Sequence, residues 1–155
     1  MTAYTDSYGF NKGNGGFVSN YTNRYSVYEI TLDFAKIAAA RSAAGVAALA
    51  AADTLVLGVL PKGSLVLGGG ATLIKAEGAT ATVDFGITGS LTLFNSNFDL
   101  NGTALTTAAG TTPAYLTADT NIVMTVDHNS IDLAQVKLSI AYLNLGADLG
   151  TVPSA

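Results

Sequence analysis

The chain has no cysteine and no tryptophan, one histidine and three prolines in 155 residues. Without thiols there is neither a disulfide framework nor thiolate chemistry, so the fold must stand on packing and subunit contacts in any redox compartment. That fits assembly in a cytosol. Charge is scarce too: Asp, Glu, Lys and Arg supply 12% of the residues, about half the share of an ordinary soluble domain. So few charges imply that partners hide much of the surface. The seven cations are scattered singly and the net charge is -4, which leaves no basic patch to neutralise a run of phosphates. Nucleic acid is not an expected partner.

Long apolar runs are missing as well. The mean hydropathy is +0.39, yet no stretch holds the ~18 consecutive apolar residues that a spanning helix needs. The longest candidate, 43–60, is interrupted by Gly45, Asp53 and Gly58. No membrane partner is expected. The segment Met1-Thr2-Ala3-Tyr4-Thr5-Asp6 has neither a basic nor an apolar signal region, so export by the general pathway is not expected either.

Catalytic groups are equally thin. Acid–base or nucleophilic catalysis needs convergent side chains such as Ser, His and a carboxylate, and the only imidazole is His128, within the polar stretch Asp127-His128-Asn129. A metal or catalytic pair of Asp127 and His128 is one reading. A solvent-facing or capping turn histidine is the commoner arrangement. Asp84, Asp99, Asp119, Asp127 and Asp132 lack the dense Asp and Asn spacing of a calcium loop. Gly9, Gly13, Gly15 and Gly16 do not open a helix after a strand, and no Lys-Ser or Lys-Thr follows a glycine-rich loop. The sequence therefore assigns no catalytic residue, no metal ligand and no cofactor, and the chain is not expected to be an enzyme.

What is present is alternation. Residues 1–24 are rich in Tyr, Asn, Ser, Thr and Gly and read as an extended N-terminal arm. Tyr4, Tyr8, Phe10, Phe17, Tyr21 and Tyr25 are large amphipathic side chains of the kind enriched in interfaces, and they are the candidate partner-binding residues. An arm folded back on its own domain is the alternative. Ser26 to Phe34 alternates with Tyr28, Ile30, Leu32 and Phe34 on one face, a half-buried strand. Lys36 to Ala52 is dominated by alanine, which predicts a short helix or packed loop.

Thr54 to Leu60 is apolar on both faces, as in a strand covered on two sides, and Leu60-Pro61-Lys62-Gly63 predicts a type I turn and a hairpin into Ser64 to Leu67. Gly68 to Gly70 predict a bulge, a bend or a close backbone approach. Ala79 to Ile87 then places Ala79, Ala81, Val83, Phe85 and Ile87 on one face. Ser90 to Phe94 reads as a strand and Asn95 to Pro113 as a long functional loop with short extended pieces. Asn121 to Val126 and Leu133 to Leu143 are the last strands, joined by a turn at 127–130. Seven or eight short strands between Gly, Pro and Asn turns predict an all-β fold, a β-sandwich or jelly roll over 25–145 with a C-terminal tail at 146–155.

The runs Asp33-Phe34-Ala35-Lys36-Ile37-Ala38-Ala39-Ala40-Arg41, Ala51-Ala52-Asp53, Leu60-Pro61-Lys62-Gly63-Ser64-Leu65-Val66-Leu67 and Ala79-Thr80-Ala81-Thr82-Val83-Asp84-Phe85-Gly86 resemble small structural proteins of tailed bacteriophages, above all capsid decoration (cement) proteins. The resemblance covers about 27–143 and implies a jelly-roll-like virion protein. It also implies a homotrimer that binds the major capsid protein on the capsid surface and clamps neighbouring subunits after capsid expansion, with assembly in the host cytoplasm. Tail, head–tail joining and fibre-attachment proteins, the last with a carbohydrate- or protein-binding sandwich, are the neighbouring alternatives.

Overall fold

The computed structural model describes residues 25–102, 107–110 and 113–145. They form two facing antiparallel sheets.

The first strand, β1 (Tyr25–Asp33), keeps the expected inward set, with Leu32 buried and Tyr28 and Ile30 packed against the core. Asp33 ends it and caps α1 (Phe34–Ala43), its carboxylate accepting from the Lys36 amide at 3.2 Å. The alanines make a helix that buries only Phe34. It ends before Gly45, whose φ of +70° suits a residue without a Cβ.

The remaining strands are β2 (Thr54–Leu60), β3 (Ser64–Lys75), β4 (Thr82–Ile87), β5 (Ser90–Asp99), β6 (Thr107–Gly110), β7 (Ala114–Tyr115), β8 (Thr120–His128) and β9 (Gln135–Asn144). One sheet has the order β1-β9-β3-β6, with β7 also beside β3, and the other β2-β8-β4-β5. The chain passes from sheet to sheet at nearly every connection; β4 and β5 form the one hairpin within a sheet among the described strands. With β6 and β7 sharing the flank of β3, this is the eight-stranded jelly roll.

Between the sheets lie Val83, Phe85, Ile87, Phe94, Ile122, Met124 and Val126 from one side and Leu32, Val66, Leu73, Val136, Leu138 and Ile140 from the other. Phe85 and Phe98 meet edge to face with ring centres 6.1 Å apart. Gly69 faces Phe94: a Cβ there would lie 2.7 Å from the ring, so the predicted close approach at Gly68 to Gly70 is real. The register also slips between Val66 and Gly68, which is the predicted bulge.

Five expectations are corrected. β2 is covered on one face: Leu55, Leu57 and Leu60 meet the core, whereas Val56 and Val59 are exposed. The turn after Leu60 makes no hairpin, because β2 pairs with β8 and β3 with β9, in different sheets. The bonded turn is one residue later than expected: Ser64 donates to the Pro61 carbonyl at 3.2 Å, and Gly63 has φ +82°. Ala79 is exposed and precedes β4. Finally, Asn95 to Asp99 extends β5, because Phe98 and Leu100 supply core anchors that the polar residues around them obscured.

Candidate partner-binding surface

The chemical candidates do not converge. His128 is the exposed last residue of β8. Asp127 accepts from the Thr82 hydroxyl at 3.2 Å, Asp84 from the Asn97 amide at 2.7 Å, Asp99 from the Asn101 amide at 2.8 Å and Asp119 from the Lys62 amide at 2.8 Å. Asp99 thus fastens its own turn, and the other three tie together separate strands or turns. Among the described residues no group of three His, Cys, Asp or Glu side chains could hold a metal ion.

One carboxylate was not singled out by its sequence context. Glu77 is buried in the β3–β4 connection, and its two oxygens accept from the backbone amides of Asp132 at 2.8 Å, Leu133 at 3.0 Å and Ala134 at 2.6 Å. It therefore holds the chain in place just before β9. Asp132 sits beside it, and hydrogen bonding to Glu77, then desolvation, then like-charge repulsion push its carboxyl above the ordinary range. In sequence the only sign was an acidic residue ahead of a glycine, which reads equally well as a solvated turn.

The surface most suited to a partner is the outer face of the first sheet. Side chains directly opposite each other in adjacent strands share a face. Register therefore lines up Tyr25, Leu143, Leu65 and Tyr115 across β1, β9, β3 and β7. A second row holds Val27, Ala141 and Gly68, with Leu67 the extra residue of the bulge. Tyr25 and Val27 are 50% exposed, Tyr115 49% and Leu67 37%. The next two rows turn polar: Glu29 opposite Ser139, and Thr31 opposite Lys137 and Thr72. Lys137 reaches Glu29 at 2.8 Å, and that bond, helped by Ser139, holds the Glu29 carboxyl below its usual value. One end of the face is apolar and uncharged, and the other carries an ion pair.

Of the six candidate contact residues, Tyr25 stands in this apolar row. Tyr4, Tyr8, Phe10, Phe17 and Tyr21 lie outside the described residues, as do the C-terminal tail at 146–155 and part of the Asn95 to Pro113 segment. The row escaped the sequence because Leu65, Tyr115 and Leu143 are far apart along the chain and only strand register brings them together.

No family model matches the chain, and no curated protein does. Solved structures do. A chain of the cyanophage Pam1 capsid asymmetric unit superposes with a TM-score of 0.57 at 18% identity, over 77% of this chain and 84% of that one. A chain in the acidic stable capsid structure of Helicobacter pylori bacteriophage KHP30 gives 0.54 at 13% identity, over 79% and 89%. One in the capsid of Ralstonia phage GP4 gives 0.52 at 15%, over 77% and 84%. At these identities the likeness is one of fold.

Proposed function

We propose that this chain is a virion structural protein that decorates the outside of a tailed-phage capsid and stabilises contacts between major capsid protein subunits. One observation carries the reading. Three matching chains come from phage capsid structures, and the shared fold takes up 84% to 89% of their length, so each is itself little more than one such sandwich. A domain this small suits an accessory subunit seated on a shell.

The surface supports the same reading. Low charge and an exposed apolar row let neighbours approach without desolvating ions, which costs several kcal/mol for an unpaired charge. Residues 1–24 serve as a contact arm on the 25–145 sandwich, with Tyr4, Tyr8, Phe10, Phe17 and Tyr21 as its anchors and Tyr25 at its root. Residues 146–155 serve as a second, shorter contact segment. Self-association as a homotrimer multiplies weak contacts, because a symmetric clamp engages several shell subunits at once. No chemical step is part of this role. The protein would join the capsid surface during assembly in the host cytoplasm.

The test is mass determination by light scattering, followed by co-sedimentation with purified capsids that lack the protein. A trimer that saturates the capsids is the expected outcome. A monomer that stays in the supernatant would overturn the reading in favour of a tail or fibre role.

A further inference from the structure

We propose that the apolar row Tyr25, Leu143, Leu65 and Tyr115 is the seat for the N-terminal arm of a second copy of this chain, with Phe17 and Tyr21 of that copy as the anchors. The inference rests on the reading of the protein as self-associating and names the surface that does it.

The row lies at the end of the sandwich that holds Tyr25 and Leu145, the first and last described residues. Tyr25 opens β1 and pairs with Leu143, and Leu145, just past β9, donates to the Gly63 carbonyl at 3.1 Å. Ahead of Tyr25 stand 24 residues, with two large aromatics, Phe17 and Tyr21, within eight positions of it. No glycine or proline occurs from 17 to 24; the nearest is Gly16. Extended, these eight residues would span about 25 Å from Tyr25, enough to reach another molecule.

The chemistry of the two surfaces matches. Segment 17–23, Phe-Val-Ser-Asn-Tyr-Thr-Asn, has no charge, and neither do the two rows that would receive it. Aromatic rings there would cover exposed Tyr25, Val27, Leu67 and Tyr115 with no ion to desolvate. The ion pair of Glu29 and Lys137 bounds the seat on its far side. An arm from one copy on the face of the next is a head-to-tail contact, and head-to-tail contacts close into rings when the rotation permits. The glycines at 13, 15 and 16 would then release Tyr4, Tyr8 and Phe10 toward the shell.

Complementation between full-length variants tests this. F17D/Y21D spoils the arm and keeps the face, whereas Y115K spoils the face and keeps the arm. L67K is a second face variant, should Y115K disturb the short β7 strand. Each variant alone is expected to raise the dissociation constant for self-association about thirtyfold, with its unfolding midpoint unchanged. An equimolar mixture of arm and face variants is expected to recover one good contact and form a heterodimer that grows no further. Folded variants that stay monomeric when mixed, or that assemble as the parent does, would overturn the proposal. Capsid binding is scored separately. A parent chain that passes the mixing test but ignores capsids upholds the arm exchange and removes the capsid reading. One that binds capsids with self-association indifferent to these variants does the reverse.

Discussion

The Tyr28 hydroxyl donates to the Leu57 carbonyl at 2.6 Å, joining β1 of one sheet to β2 of the other on the open side of the sandwich. The bond is possible because the next residue is Gly58: a Cβ there would overlap the phenol, with Cζ only 2.8 Å away. Leu57 is also where the β2 register slips against β8, so the tyrosine satisfies a carbonyl that the bulge takes out of the ladder.

Gly58→Ala should consequently cost more than Tyr28→Phe. Phenylalanine loses one partly buried hydrogen bond, about 1 kcal/mol. The alanine methyl must displace the whole ring, for about 1–3 kcal/mol. Urea unfolding midpoints at constant m-value would rank them, and the reverse order would show that the ring moves freely.

Two other glycines make a sharper contrast. A methyl on Gly69 meets the Phe94 ring, a side chain able to shift, and about 1–3 kcal/mol is expected for Gly69→Ala. A methyl on Gly86 meets the backbone of Ser90 and Leu91, which closes the β4–β5 hairpin and has nowhere to go. Gly86→Ala should leave little folded protein at 37 °C, measured by soluble yield and circular dichroism.

Removing Glu77 strands three backbone amides that it now satisfies in a buried site. Glu77→Ala is expected to cost about 3 kcal/mol or more, with faster hydrogen exchange in peptides covering 131–136. Glu77→Gln, which keeps one acceptor oxygen, should fall between the parent and Ala.

Asp132 shows the pH consequence of the same site. Its carboxyl is raised in the folded state by Glu77, so the native protein binds that proton more tightly than the unfolded chain. The resulting stabilisation is complete below the unfolded pKa and is lost as pH rises through the higher folded one. Asp132→Asn, which removes the charge, should raise Tm at pH 7 and change it little at pH 3. Glu29 has the opposite sign, because Lys137 and Ser139 hold its pKa down. Its contribution is present above the unfolded pKa and disappears as pH falls through the folded one, so Glu29→Gln should lower Tm at pH 7 and not at pH 2.

His128→Ala is expected to leave folding, self-association and capsid co-sedimentation unchanged, since the imidazole is exposed at a strand end. Loss of function with an intact fold would reopen a chemical role.

Much of the strand pattern was legible because period-two alternation is a local property. Ala81, Val83, Phe85 and Ile87 face inward as their spacing demands, and so do Ile122, Met124 and Val126, and Val136, Leu138 and Ile140. The Ala-rich segment after Asp33 likewise had helix propensity and a cap in its own residues. These calculations of period and propensity need no knowledge of what lies across the strand, and they were enough to indicate an all-β sandwich.

Pairing was decided by the tertiary structure alone. Thr54 to Leu60 is largely apolar, and nothing in it states that Leu55, Leu57 and Leu60 meet the core while Val56 and Val59 stay exposed. The Pro61 to Gly63 turn suits a hairpin as well as a crossing between sheets, because a turn records its own dihedrals and not the partners of the strands it joins. Glu77 and the row from Tyr25 to Tyr115 depend on contacts between residues tens of positions apart. Sequence alone determined which side chains alternate; register across the sheets decided which of them meet, since a one-residue slip would turn each strand's inner face outward.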